Sequence, residues 1–422
     1  MTRDDLIDLL LNLLNRYASP PDVESIAATT INEWNVLLTM AKAQKVLPLL
    51  FHRLERLGLQ PAVPHETWLE MRKTYSSNIA RNLRLYGGLG RIVTFLRAEQ
   101  IPVIALKGLH LAQIIYRNIA LRQIGDMDIL VPLALVRRAW ELLVAHGYQN
   151  PPGHTVDFDM QTKHQYHVLL RLIKPRPAAV EMHWSLTRPN ERESLSIGDI
   201  QGIWDRSTPI DLGGVKMLGL SPEDLLLHLC LHTSYHHRFE FGLQPSCDIA
   251  WTVDHFGAVL DWELLSQLAR KRGWERGVSL ALRLAHDVMG ARVPEVALST
   301  LKNGEGEGGI VALAREQIFA SQTPVRVSEY FAHFMGEKSL RGRLRQIFDR
   351  IFLPSGTVAT ARFTGSNSPR FYWYYLAHLR DMLCRCVRVG WELLRSNAAV
   401  AKEIKRKDQI SRWLAGTSRT SG

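Results

Sequence analysis

The sequence is poor in cysteine and has no long uncharged apolar run. Its 422 residues include four cysteines, Cys230, Cys247, Cys384 and Cys386, which form no CxxC pair and no disulfide-framework spacing. This pattern excludes a zinc ribbon and makes a reducing cytoplasm the expected location. No stretch of about 18 uncharged apolar residues occurs, so we predict no transmembrane helix. No internal repeat is visible in the sequence.

The first residues, MTRDDLIDLLLNLLNRY, lack the features of a signal peptide. Asp4, Asp5 and Asp8 interrupt the apolar stretch, and the leucines recur at helical spacing. We therefore predict that this segment is an amphipathic first helix.

The composition is that of an ordinary globular protein with an excess of positive charge. Hydrophobic residues make up 46% of the chain and charged residues 22%. A chain of 422 residues with this composition is large enough to form two or three hydrophobic cores. The formal net charge of +11 favours phosphate-bearing partners or an anionic membrane surface, although charge alone does not identify a ligand.

The hydrophobic pattern divides the chain into four regions. Apolar residues recur at spacings of three and four throughout residues 1–98, which predicts a helical N-terminal region. Residues 99–215 are predicted to form an α/β core, 216–300 a helical domain that packs on it, and 310–422 a basic helical C-terminal region. The glycine-rich KNGEGEGG at 302–309 is the clearest internal linker.

Strand and helix patterns alternate within the predicted core. IPVIALKG is a short β-branched run closed by Gly108, LHLAQIIYR is helical, and DMDILVP is a strand ended by Pro132. A further helix stops at Gly147. HQYHVLLRLI and AAVEMHWSL then flank the turn KPRP, which predicts two neighbouring strands of one sheet. Beyond them, Ser221 is expected to cap a helix that carries Pro222 in its first turn.

The C-terminal part of the chain combines basic and aromatic residues, as in RGRLRQIFDRIF, RFYWYYLAHLRDMLCRCVRVGWELLR and KEIKRK. Three interpretations are open: a helical subdomain with its arginines on a solvated face, a surface for lipid headgroups, and a surface for nucleic acid. The sequence alone does not separate them.

Two aspartates stand in the stretch RQIGDMDILV, which otherwise has the pattern of a buried strand. Side chains alternate faces along a strand, so Asp126 and Asp128 are expected to point the same way. Two carboxylates on one face can hold a divalent cation that also binds substrate phosphates. Glu181 is a third acid on a strand expected beside the first, and the glycine turn before LHLAQIIYR offers backbone N–H groups to a phosphate. The alternative is that the two aspartates only cap and solvate a strand edge.

The order of these elements resembles the DNA polymerase β-like nucleotidyltransferase superfamily. More closely, IPVIALKGLHLAQIIYRNIALRQIGDMDILVP, LLVAHGYQ, VEMHWSL and LSPEDLLLHLCLH are similar to a bacterial family of uncharacterised nucleotidyltransferases, often found near polysaccharide or surface-export genes. The resemblance runs from the helical N-terminal region to about residue 260. It implies an α+β fold, with a small mixed β-sheet nucleotidyltransferase core flanked by helices and with helical N-terminal and C-terminal regions.

The resemblance also implies roles for particular residues. Asp126 and Asp128 match the metal-binding acid pair of the superfamily, and Glu181 matches its third acid, which helps to hold the catalytic metal and orients or deprotonates the attacking hydroxyl. Gly108 matches the glycine of the phosphate-cradling turn. Leu109, however, stands where the wider superfamily usually has a serine.

Lys107 and Arg122 are the expected replacements for the phosphate contact of that serine, because both lie near the acids in sequence. The alternatives are that Lys107 is a solvated loop lysine and that Arg122 is a structural partner of Asp126. His183 is expected on the face of Glu181, where it is either an ordinary strand histidine or a residue that supports the site.

Three further histidines, His228, His232 and His236, repeat every four residues, so a continuous helix would place them on one face. We predict a supporting or helix-packing role for them, with His232 nearest the cleft. Zinc ligation is the alternative, although no third ligand is apparent and His237 blurs the pattern.

The function implied by the resemblance is the Mg²⁺- or Mn²⁺-dependent transfer of a nucleoside monophosphate from an NTP to an unknown acceptor hydroxyl, with release of pyrophosphate. A link to polysaccharide or cell-surface biosynthesis is expected, with the protein in the cytoplasm or peripheral to the inner membrane. Two alternatives from other classes are open: a catalytically inactive binding or scaffold protein with the same fold, and a nucleic-acid-binding module that uses the basic C-terminal half.

Overall fold

The structure, a computed structural model, shows an α+β protein with a seven-stranded mixed sheet and helical N-terminal and C-terminal regions, which confirms the predicted fold class. The described residues are 1–151, 158–173, 178–189, 191, 193–301, 307–320 and 398–416, together with Arg380 and Cys384. Among them, no helix has both the length and the apolar character needed to cross a membrane.

Capping by side chains fixes where two of the first helices begin. Thr2 and Thr30 each accept a hydrogen bond from the backbone N–H of the third helical residue, Asp5 and Glu33, whose carboxylates accept a bond from the cap backbone in return. The N-terminal helices are α1 (Arg3–Leu14), α2 (Val23–Ala27), α3 (Ile31–Ala43), α4 (Leu47–Arg56) and α5 (His65–Ala98), with a 3₁₀ turn at Gln60–Ala62.

The sheet has the order β3-β4-β5-β2-β1-β7-β6. Two of its pairings are parallel, β2 with β5 and β1 with β7, and the other four are antiparallel. The strands are β1 (Ile104–Ala105), β2 (Met127–Leu130), β3 (Tyr148–Gln149), β4 (His167–Leu172), β5 (Ala178–His183), β6 (Thr208–Leu212) and β7 (Val215–Gly219).

The predicted neighbours β4 and β5 form an antiparallel pair, and their turn at 174–177 lies outside the described residues. The hairpin β6–β7 was not predicted, and β7 continues four residues past the end of the predicted core at 215. Its two-residue turn is formed by Gly213 and Gly214, which have φ of 65° and 83°. Such positive φ values are easy for glycine and costly for other residues.

Alternation along β2 sends its side chains into two different cores. Met127 and Ile129 pack with the second half of α5 and with α7 (Val136–Ala145). Gly88 lets α5 approach, since a Cβ there would lie 3.2 Å from the sulfur of Met127. Leu130 belongs to the other core, which is built with α1, α3, α4 and the helices after residue 220. Asp128, which has the same parity as Leu130, therefore faces that helical side.

The helical side begins as predicted. Ser221 caps α10 (Pro222–Leu231) by accepting a hydrogen bond from the backbone N–H of Asp224, and Pro222 occupies the first turn. The helix continues as a π-helical turn at His232–His236. The remaining helices are α6 (Lys107–His110, continued by a π turn at Leu111–Ile115), α8 (Phe158–His164), α9 (Ile197–Arg206), α11 (Gln244–Phe256), α12 (Trp262–Lys271), α13 (Glu275–Met289), α14 (Glu295–Thr300), α15 (Glu307–Phe319) and α16 (Ala398–Leu414), with a 3₁₀ turn at Leu133–Leu135.

The predicted linker and basic segments are only partly described. Residues 302–306 of KNGEGEGG lie outside the described residues, and the rest of that stretch begins α15. RGRLRQIFDRIF lies outside them entirely, as does the aromatic segment apart from Arg380 and Cys384. KEIKRK belongs to α16, where Arg406 and Lys407 are buried rather than on a solvated face. Arg406 donates to Gln317 Oε1 (2.6 Å), and Lys407 pairs with Glu240 (3.0 Å).

Candidate active site

The two central acids of the site lie side by side on parallel strands. Asp128 in β2 and Glu181 in β5 are direct register partners, so their side chains project from the same face of the sheet. Asp126 is placed one residue before β2 begins. The Asp128 side chain is only 6% exposed, whereas that of Glu181 is 27% exposed. Glu181 is therefore the more accessible of the two.

The long helix α5 holds the loop that leads into β2. Asn78 donates hydrogen bonds to the carbonyl oxygens of Ala120 (2.7 Å) and Arg122 (3.0 Å), and Asn82, one turn further on, donates to Arg122 (2.9 Å) as well. Both asparagines are buried. These bonds satisfy loop carbonyls that would otherwise be unpaired, and they fix the approach of the chain to Asp126.

Lys107 and His183 contact the acids. Lys107 Nζ lies 3.0 Å from Asp128 Oδ1. His183 Nε2 donates to the same oxygen (3.3 Å) and lies 3.6 Å from Glu181 Oε2. Lys107 is buried rather than solvated, and His183 bridges two acids rather than only packing in its strand. The sequence had left both choices open.

The pKa values follow from this close arrangement. Burial alone would raise the pKa of Asp128, but Lys107 and His183 outweigh burial and hold it well below its usual range. Burial raises the pKa of Asp126 to about 6, and the charges of Asp128 and Glu181 add to the rise. Burial opposes the charge on Lys107, yet the attraction of Asp128 and Glu181 raises its pKa. Asp128 is thus a carboxylate with a fixed ammonium beside it at neutral pH.

Gly108 lies where α6 comes closest to the loop before β2. A Cβ on Gly108 would lie 2.9 Å from Ile124 Cγ2, 3.5 Å from Arg122 Nη1 and 3.6 Å from the Asp126 carbonyl oxygen. The next residue, Leu109, is buried in the core between the sheet and α5. This position therefore offers no polar side chain in place of the usual serine.

We expect Gly108→Ala to lower the free energy of unfolding by about 1–3 kcal/mol, because the added methyl overlaps Ile124. Gly87→Ala is the matched control. A Cβ at Gly87, inside α5, meets nothing within 4 Å, so the substitution should be neutral or stabilising by up to about 1 kcal/mol. Urea unfolding of the two variants measures the difference. Equal stability of the two variants would contradict the close approach.

Arg122 is held by a residue that the sequence did not reveal. Its Nε donates to Asp248 Oδ1 (2.9 Å) and its Nη2 to Asp248 Oδ2 (2.8 Å), and the Tyr116 hydroxyl donates to Oδ1 as well (2.9 Å). All three side chains are buried. Arg122 therefore pairs with Asp248 rather than with Asp126. The third nitrogen, Nη1, donates to the Gln123 carbonyl oxygen (3.4 Å) and lies beside Gly108.

The histidines of α10 and its π turn lie near Lys107. His232 shares a small cavity of about 50 Å³ with Lys107 and Arg122. His232 Nε2 and His237 Nε2 are 3.0 Å apart, so one donates to the other. The ring of Tyr166 lies 5.5 Å from that of His236 and 5.7 Å from that of His183. Burial lowers the pKa of His236 and of His237 to about 3, and the charge of Lys107 adds to both shifts.

The donor set at the sheet fits a divalent metal. Among the described residues, Asp128, Glu181 and His183 form the one group of three whose possible ligand atoms all lie within 4.8 Å of one another. The α10 histidines form no such group. Carboxylate oxygens suit Mg²⁺ and Mn²⁺, and an imidazole suits Mn²⁺ better than Mg²⁺. Asp126 is outside this group, although the charges of Asp128 and Glu181 both act on its pKa.

The mixed sheet places two acids in register on parallel strands, beside Gly108 at the start of α6. This arrangement defines the class of nucleotidyltransferase-type α+β proteins. The model of the uncharacterised nucleotidyltransferase family matches residues 31–290, which is more than half of the chain, and the protein belongs to that family. The match extends past residue 260, where the resemblance seen in the sequence faded. No curated protein matches the chain.

Proposed function

We propose that the protein is a metal-dependent nucleotidyltransferase that moves a nucleoside monophosphate from an NTP to an acceptor hydroxyl and releases pyrophosphate. The observation that carries the proposal is the register pairing of Asp128 with Glu181 on parallel strands. Family membership supports it independently, because the family is one of nucleotidyltransferases. A cytoplasmic location and a link to cell-surface polysaccharide are part of the proposal.

Asp128 and Glu181 would hold the metal, with Asp126 completing the acidic set. A divalent ion bound there supplies neutralisation of phosphate charge and lowers the pKa of the attacking hydroxyl. His183 bridges the two central acids, so it would fix the orientation of both carboxylates. Glu181, the more exposed acid, would accept the proton of the acceptor hydroxyl.

Lys107 would bind the phosphates of the NTP. Its ammonium lies beside Asp128, and its charge would partly neutralise a phosphoryl group placed against the acids. Gly108 lets α6 pack closely against the loop before β2, because any Cβ there would overlap Ile124. Arg122 would reach the phosphates only through Nη1, because its other two nitrogens are bound to Asp248. This set of contacts would replace the missing serine.

The alternative is a binding or scaffold protein that keeps the fold without catalysis. Two observations favour it: the core position of Leu109, and the ammonium of Lys107 within 3.0 Å of a predicted metal ligand. The nucleic-acid alternative relies on basic C-terminal segments that fall mostly outside the described residues. Metal-dependent nucleotide binding separates the lead proposal from both.

The test is a calorimetric titration of the purified protein with ATP, GTP, CTP and UTP, with and without Mg²⁺ or Mn²⁺. We expect at least one NTP to bind in the presence of metal, and chelation of the metal to weaken that binding. If protein with a folded circular-dichroism spectrum binds none of the four nucleotides under either condition, the proposal is wrong.

A further inference from the structure

A second cavity, separate from the acids, has a volume of about 520 Å³. It lies between the residues that follow α1, helix α4, the end of the π turn of α6 with the residues after it, and α11. Its lining includes Arg16, His52, Arg56, Arg117, Trp251 and His255. Cavities of this size hold small organic ligands. Neither Lys107 nor any of the three acids lines it.

The cavity carries more positive than negative charge. Among the described residues that line it, Asp254 is the one carboxylate, and its Oδ2 already pairs with Arg16 Nη1 (3.3 Å). Arg56 and Arg117 are exposed, and neither forms an ion pair within the described part of the chain. Arg117 also has a φ of 53°, which is uncommon for a residue other than glycine. Within the described residues, these two guanidinium groups therefore have no paired counter-charge.

Neighbouring groups respond to this unbalanced charge. Burial lowers the pKa of Arg53, and the charges of Arg56 and Arg16 lower it further. Burial also lowers the pKa of His52, with a contribution from Arg56, and that of His255, with a contribution from Arg117. The Nδ1 atom of His52 is buried and has no hydrogen-bond partner among the described residues. An anion in the cavity would relieve the repulsion among these groups.

The aromatic side chains of the cavity are already covered. The Trp251 ring stacks on Tyr116, with centroids 4.6 Å apart, and the guanidinium of Arg16 lies 4.3 Å from the centroid of Trp251. The guanidinium of Arg292 likewise lies 3.8 Å from the centroid of Tyr17. A nucleobase would have to displace one of these groups in order to stack. The charged part of a ligand is therefore the part that the cavity can recognise.

We propose that this cavity binds a small phosphate-bearing molecule, which Arg56 and Arg117 recognise through its phosphate group. Guanidinium forks match the oxygens of a phosphate and bind it in bidentate fashion. Tyr116, which lines the cavity, donates to the same Asp248 that holds Arg122. The proposal does not depend on nucleotidyl transfer.

The test is calorimetry in the presence of a chelator and without NTP, using inorganic phosphate, pyrophosphate, glucose 1-phosphate and AMP as separate probes. We expect at least one probe to bind, and AMP to bind no more tightly than a phosphate ester without a base. The double variant Arg56→Gln/Arg117→Gln should weaken binding at least about tenfold, since each guanidinium makes charge-assisted bonds to the phosphate. The set of probes that bind distinguishes free phosphate from phosphate esters.

The matched control is Arg84→Gln/Arg91→Gln, which removes two exposed arginines from α5 and changes the net charge equally. It should bind the probes like the wild type. Failure of the folded wild type to bind any probe overturns the proposal. Unchanged binding by Arg56→Gln/Arg117→Gln, or an equal loss in the control, overturns it as well. None of these outcomes bears on metal-dependent NTP binding, because metal and NTP are absent from the experiment.

Discussion

Replacing Glu181 by glutamine should reduce metal-dependent NTP binding at least about 100-fold and leave the protein folded. The carboxylate faces Asp128 in register, so its loss removes one of the two central metal ligands that we propose. Glutamine keeps the shape of the side chain, and at 27% exposure its amide can be hydrated. Calorimetry with Mn²⁺ and the best-binding NTP measures the affinity, and circular dichroism checks the fold.

Glu141→Gln is the control for that experiment. Glu141 lies on α7 with its side chain 49% exposed, and its contact with Arg138 is a loose pair at 4.0 Å. The control removes the same charge by the same chemical change, and it should bind metal and NTP like the wild type. If Glu181→Gln also binds like the wild type, the acid pair is not the metal site.

The second large effect is expected in the buried pair of Lys107 and Asp128. Asp128→Asn should lower the free energy of unfolding by about 3–5 kcal/mol, because it leaves the Lys107 ammonium buried beside a neutral amide. Lys107→Met/Asp128→Asn removes both charges and should be more stable than Asp128→Asn alone. Urea unfolding of the wild type, Lys107→Met, Asp128→Asn and the double variant gives the coupling energy between the two residues.

An exposed ion pair provides the control for this cycle. Lys42 and Glu70 pair on the surface, with side chains 45% and 47% exposed. Their coupling should be below about 1 kcal/mol, since water screens the charges. If Lys107 and Asp128 couple no more strongly than this surface pair, the ammonium does not neutralise Asp128 in the folded protein. A phosphate-binding role for Lys107 would then lose its structural basis.

Local patterns in the sequence were sufficient to predict the centre of the fold. The D-x-D stretch, the glycine at the start of α6 and the pairing of β4 with β5 each rest on a few neighbouring residues, where strand alternation and turn chemistry are informative. The parallel register of β2 with β5 brings Asp128 opposite Glu181. The expectation that His183 shares a face with Glu181 follows from the same alternation, and the structure adds its contact with Asp128.

Other features could not be predicted because they join distant parts of the chain. Asp248 lies 126 residues after Arg122, and no local pattern indicates that the two side chains meet. The clamp of Asn78 and Asn82 on the loop before β2 also spans about 40 residues, since it depends on where α5 crosses the sheet. The sequence did contain a signal for the β6–β7 hairpin, because Gly213 and Gly214 separate two strand-like runs. The largely exposed residues of β6 made that signal weak.

The most direct test of the central claim is a crystal structure with Mn²⁺ and a non-hydrolysable NTP, with the anomalous signal of Mn²⁺ used to locate the ion. The proposed function predicts an anomalous peak within coordination distance of both Asp128 and Glu181, with the triphosphate close to Lys107 and Gly108. An ion and nucleotide bound elsewhere, with Lys107 still paired to Asp128 and no peak at the two acids, would contradict the claim.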